Sequence, residues 1–180
     1  MEPLKAPPVT PRPRMATAWL GGCSGCHMSL LDVDERLLDL APRIELVHSP
    51  LGHGRRYPGD VDLCLVEGAV AGEDHLALLR RVRQRTRFLV ALGDCAGWGN
   101  VTALRDAVGG LPPVLARAWP VGERDPSLPG LLERVRAVPE VVDVDLVLPG
   151  CPPPADLILR ALSELVAGRV PDLAGTGHFG

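Results

Sequence analysis

The sequence predicts an α/β fold: a parallel, doubly wound sheet of five strands in a single domain. Short apolar runs alternate with stretches of helical periodicity along the chain, the order that builds strand–helix–strand units. The third run, Val61–Glu67, is continuous enough in its apolar residues to be buried on both faces, as parallel strands are. A length of 180 residues suits one domain.

The elements follow in order. Residues 1–14 are rich in proline and read as a flexible N-terminal arm ahead of the domain, residues 15–180. Met15–Leu20 is the first strand. Met28–Leu40 is a helix, with Leu30, Val33, Leu37 and Leu40 at spacings of three and four, and Pro42 stops it. Ile44–His48 is the second strand, and a loop rich in Gly, Pro and Arg covers Ser49–Asp60. After the third strand come a helix over Glu73–Arg85, a fourth strand over Phe88–Leu92 and a short helix over Val101–Val108. Gly109–Pro126 is a long connection, and Leu128–Ala137 is a weakly patterned helix. Val141–Leu148 is the fifth strand and Ala155–Ala167 the last helix, with Leu157, Ile158, Ala161, Leu162 and Leu165 on one side. Ala174–Gly180 reads as a surface segment. At this size the flavodoxin-like strand order 2-1-3-4-5 is expected.

Composition narrows the function. Hydrophobic residues make up 46% and aromatic residues 3%, so the core is built from Leu, Val, Ala and Ile. A net charge of -3 lacks the basic surface that nucleic acid requires. No run approaches the ~20 apolar residues of a membrane span. The first residues lack an apolar signal core, and Arg12 and Arg14 are split by Pro13, so no twin-arginine pair is present. The expectation is a cytoplasmic protein. Five cysteines with one C-x-x-C then read as metal or redox chemistry before disulfides.

In a doubly wound sheet, ligand sites form beyond the carboxyl ends of the strands. Cys23 and Cys26 follow the first strand in WLGGCSGCHMS, Cys95 follows the fourth in VALGDCAGWGN, and Cys151 follows the fifth in LVLPGCPPP. Glycines flank each of them and let the backbone approach a bound object. Cys26 and Cys151 stand just before predicted helices, whose free N–H groups favour thiolates and an anionic cluster. Four such thiols suit an iron–sulfur cluster. Structural zinc also takes four thiolates, though usually from two local knuckles rather than from isolated loops. A thioredoxin-type pair would use Cys23 and Cys26 alone and leave Cys95 and Cys151 unexplained. Cys64, inside the apolar strand VDLCLVEG, reads as a small core hydrophobe.

Taken together, Cys23-x-x-Cys26, Glu67-Gly68, GDCAGWGN and PGCPPP resemble the small subunit of [NiFe]-hydrogenases. GCSGCHMSLLDVDERLLDL resembles, more narrowly, the cytoplasmic NAD-reducing (bidirectional) class. The likeness runs from about Ala16 to Ala167. It implies one proximal [4Fe–4S] cluster on Cys23, Cys26, Cys95 and Cys151, and an electron-transferring rather than bond-breaking role. It also implies a large subunit carrying the NiFe centre, and diaphorase subunits with iron–sulfur clusters and flavin that reduce NAD. Neither a twin-arginine leader nor the two-cluster C-terminal domain of periplasmic relatives is expected. The complex I small subunit is similar but has adjacent cysteines at the first motif. Flavodoxins hold the FMN phosphate after their first strand; here GGCSGC occupies that loop, so no FMN is expected.

Three neighbours have second roles. Glu67 either tunes a cluster or relays protons, or else binds backbone N–H groups in a tight turn. His27 either donates to a sulfur, caps a helix or meets a partner. Trp98 either shields the cluster or anchors an interface. Arg55 and Arg56 read as loop residues, and His48, His53, His75 and His178 share no ligand spacing.

Overall fold

A computed structural model describes residues 6–7, 9–52, 56–119, 125 and 127–173. The expected loop residues His53 and Arg55, part of the 109–126 connection, His178 and the 174–180 segment lie outside the described residues.

Five parallel strands form the main sheet: β1 (Arg14–Trp19), β2 (Glu45–His48), β3 (Val61–Glu67), β5 (Thr86–Leu92) and β7 (Leu146–Leu148). Their spatial order is β2-β1-β3-β5-β7, which is the flavodoxin-like arrangement. β3 is buried at every position, as its unbroken apolar run demands. Alternate residues of each strand feed two cores. Leu63 and Leu65 of β3, with Phe88 and Val90 of β5, pack under α1 (Gly25–Leu31) and α7 (Ala155–Val166). Cys64 and Val66, with Leu89 and Ala91, pack under Leu79 and Val82 of α3 (Glu73–Arg85).

Cys64 is fully buried in that second core, far from any surface chemistry. Cys64→Ala is expected to cost about 1–2 kcal/mol, for one lost sulfur and a small void. Denaturant unfolding checks this, and the iron content of the purified protein should not change.

Four sequence expectations need correction, the simplest being the fifth strand, read over Val141–Leu148 but formed only at Leu146–Leu148. The helix read over Met28–Leu40 is broken into α1, a 3₁₀ turn at Asp34–Arg36 and α2 (Leu37–Leu40). Asp34 takes φ +54°, a left-handed conformation that interrupts the helix and that Asp tolerates better than most residues. The apolar spacing is nevertheless real: Leu30, Val33 and Leu40 are all buried. The helix read over Leu128–Ala137 is instead a strand, β6 (Leu131–Arg136), antiparallel to the three-residue β4 (Val70–Gly72). Its partner is some sixty residues distant and too short to show a pattern, so local periodicity alone misled. The 109–126 connection holds a helix, α6 (Leu111–Ala118), with prolines in its first turn.

No helix among the described residues is long and apolar enough to cross a membrane.

Candidate metal centre

The register of the sheet assembles the site. Trp19 pairs with Glu67, Glu67 with Leu92, and Leu92 with Leu148. β1, β3, β5 and β7 therefore end in one row, and their exits open side by side. The β1 exit carries Cys23 and then Cys26, the second residue of α1. The β5 exit runs directly into α4 (Gly93–Trp98), which carries Cys95. The β7 exit carries Cys151, separated from α7 by three prolines. Cys26 thus lies inside a helix rather than before one, and Cys95 rides on a helix that the sequence did not announce.

Hydrogen bonds stitch these exits together. Asp94 N–H donates to the Gly150 carbonyl at 2.9 Å, and the Asp94 carboxylate accepts Gly150 N–H at 2.7 Å. Ser29 of α1 donates to the Pro153 carbonyl. Thr102 of α5 (Asn100–Ala107) donates to the Gly21 carbonyl at 2.9 Å. Glu67 reaches from β3 beneath α1 and accepts the N–H groups of Cys26 at 3.3 Å and His27 at 2.9 Å. That carboxylate explains why α1 starts at Gly25. Ser24, at its N-cap, makes no side-chain cap bond, and the cap comes from β3 instead.

The environment of the thiols differs from one to the next. Cys26 is buried, Cys95 half-buried, and Cys23 and Cys151 are exposed. Gly25 N–H donates to the Cys23 sulfur at 3.4 Å. Burial pushes the Cys26 thiol up, and the negative charges of Glu67, Cys95, Cys23 and Cys151 push it further. Burial and then Cys95 raise the Cys151 thiol, against a hydrogen bond from the Asn100 side chain. Cys26 thus feels the charge of the other three sulfurs, and Cys151 that of Cys95 and Cys23. Ionised together, they require cations among them, and thiolates are the form that binds metal. Gly93 makes room: a Cβ there would stand 2.3 Å from the Cys26 sulfur. This donor set, with N–H groups aimed at sulfur, fits an iron–sulfur cluster. Among the described residues, no three His, Cys, Asp or Glu side chains converge closely enough to hold a single metal ion.

The family described as NADH ubiquinone oxidoreductase, 20 Kd subunit, matches residues 23–165, from the first of these cysteines to the last helix. The chain belongs to this family. Its likeness within the family is to hydrogenase subunits. It is 36% identical to the NAD-reducing hydrogenase HoxS subunit delta of Cupriavidus necator, over 96% of this chain and 88% of that one. It is 33% identical to a subunit of the F420-non-reducing hydrogenase of Methanococcus voltae, over 89% of this chain but 58% of that one. A crystal structure of an NAD+-reducing [NiFe]-hydrogenase in the H2-reduced state superposes at TM-score 0.87 with 38% identity, covering 94% of this chain and 99% of that one. A [NiFeSe]-hydrogenase of Dm. baculatum, at 18% identity and TM-score 0.58, shares the fold. The chain belongs among hydrogenase subunits and is similar to those of NAD-reducing enzymes.

The neighbours singled out in the sequence are now placed. Glu67 binds the backbone N–H groups of Cys26 and His27 in the first turn of α1. The Nδ1 of His27 pairs with Glu67. Trp98 is 56% exposed at the end of α4. His48 packs edge-on against Tyr57, and His75 accepts the Ala71 N–H. Sequence reasoning missed Asp94, Ser29, Asn100 and Thr102. Asp94 and Asn100 lie inside GDCAGWGN and were visible there, but their partners sit on other loops.

Proposed function

We propose that this chain is the cytoplasmic electron-transfer subunit of a soluble NAD-reducing [NiFe]-hydrogenase, with one [4Fe–4S] cluster on Cys23, Cys26, Cys95 and Cys151. The carrying observation is the single row of strand ends that delivers four thiols from three distant segments. When bound, such a cluster takes up and releases one electron at a time. The protein's own part is to fix the four sulfurs, supply N–H groups to them and present the site to its partners. Cys23 and Cys151 are exposed, as are Trp19, Met28 and Trp98 around them. A low potential and protection from water call for a covering surface. We assign that cover to the large subunit that holds the NiFe centre, with Trp98 as an anchor. Diaphorase subunits, with their own clusters and flavin, would take the electrons onward to NAD. No FMN is assigned to this chain.

A second reading keeps the small-subunit role but changes the electron acceptor, on the strength of the 33% identity to the F420-non-reducing hydrogenase subunit.

Purification under argon tests both, with iron, sulfide, nickel and zinc quantified and co-eluting chains identified. About four irons and four sulfides per chain are expected, together with a nickel protein and flavin-bearing chains. A nickel partner without diaphorase chains selects the second reading. One zinc and no iron refutes both.

A further inference from the structure

The His27–Glu67 pair is more than a cap. Both residues are 1% exposed. Glu67 Oε1 accepts the Cys26 N–H, while Oε2 accepts the His27 N–H and meets His27 Nδ1. The other ring nitrogen, Nε2, is buried with no hydrogen-bond partner among the described residues. His27 also borders a largely aliphatic cavity of about 370 Å³ lined by Leu30, Leu40 and Leu162 among others. Orphaned buried N–H groups are rarer in folded proteins than under-satisfied buried acceptors. The ring proton therefore belongs on Nδ1, where Glu67 accepts it. The carboxylate then has three donors, of which His27 supplies the one side-chain donor.

We propose that His27 is a positioning residue. Its Nδ1–H fixes the Glu67 carboxylate, and the fixed carboxylate holds the backbone of Cys26. The pair thereby sets both the place of the Cys26 sulfur and the negative charge beside it. His27 acts through Glu67, the carboxylate that its Nδ1 meets. This inference rests on the cluster assignment above, although the hydrogen-bond pattern belongs to the protein alone.

The test uses the intact complex, purified anaerobically, with His27→Asn, His27→Gln, Glu67→Ala and the double variant His27→Gln/Glu67→Ala. Asn places an amide N–H near the position of Nδ1, whereas Gln places it near Nε2. Iron and sulfide per chain are measured, as is the reduced-to-oxidised ratio of the cluster at one fixed ambient potential, by electron paramagnetic resonance. His27→Asn should stay within about twofold of wild type in both. Glu67→Ala removes a negative charge and should raise the ratio by about tenfold, which is 59 mV for one electron. His27→Gln leaves the charge with one donor fewer, and the ratio should fall or the iron content halve. The double variant should match Glu67→Ala alone, because the proposed effect of the His27 side chain passes through Glu67.

Wild-type behaviour in His27→Gln overturns the proposal, as do additive effects in the double variant. So does a folded His27→Asn complex that behaves like His27→Gln. If His27→Gln fails to accumulate, His27→Asn decides alone: a wild-type ratio supports the proposal and a tenfold change overturns it. A wild-type complex without iron refutes the cluster assignment instead, and is read before any variant.

Discussion

Cys95→Ser or Cys151→Ser should leave the chain unable to hold the proposed cluster and should stop the proposed electron transfer through the assembled enzyme. The hydroxyl is roughly the right size but has the wrong chemistry, since an alkoxide does not form where a thiolate does, and iron–sulfur irons take soft sulfur ligands. Cys95 is positioned by α4 directly at the end of β5. Cys151 is positioned by the Asp94–Gly150 hydrogen bonds. Neither loop has a spare cysteine within reach, since the remaining one, Cys64, is sealed in the opposite core. The expected result is loss of most iron and sulfide and of hydrogen-dependent NAD reduction to background. The fold should survive, because both side chains lie outside the two cores. A Cys151→Ser protein that retained full iron content and activity would remove that residue from the ligand set.

Gly93→Ala should damage the site without altering any of the four cysteines. Gly93 has φ +82°, a conformation that costs an L-residue about 1 kcal/mol or more. The added Cβ would stand 2.3 Å from the Cys26 sulfur and 3.3 Å from the Gly150 carbonyl oxygen. The first contact cannot exist, so either the sulfur or the start of α4 must move. With overpacking of about 1–3 kcal/mol, the sum comes to about 2–4 kcal/mol, plus a displaced thiol. Denaturant titration reads the first effect and iron content the second. Gly59→Ala is the control: nothing lies within 4 Å of a Cβ there, and its cost should stay within about 0.5 kcal/mol.

Much of this was legible in the sequence, for identifiable reasons. β3 is a continuous apolar run because both of its faces are covered, and the helix Glu73–Arg85 has the bounds its periodicity predicted. The cysteines stood out because each follows a strand and is flanked by glycine, which is what close approach to a bound object requires. The β4–β6 ribbon was hidden because its stability comes from a distant partner and from α5. There, Asp106 accepts the Val135 N–H and Arg105 donates to the Leu132 carbonyl. The start of α1 was hidden for the same reason: its capping oxygen belongs to Glu67, forty residues away in the chain. Local pattern reports what neighbours in sequence do, and both misses arise from side chains that reach across the fold.

The bonds Asp94–Gly150, Ser29–Pro153 and Thr102–Gly21 join protein groups only. The loops around the thiols are thus tied to one another in pairs as well as to the strands they follow, so a fault in one of them is passed sideways to its neighbour.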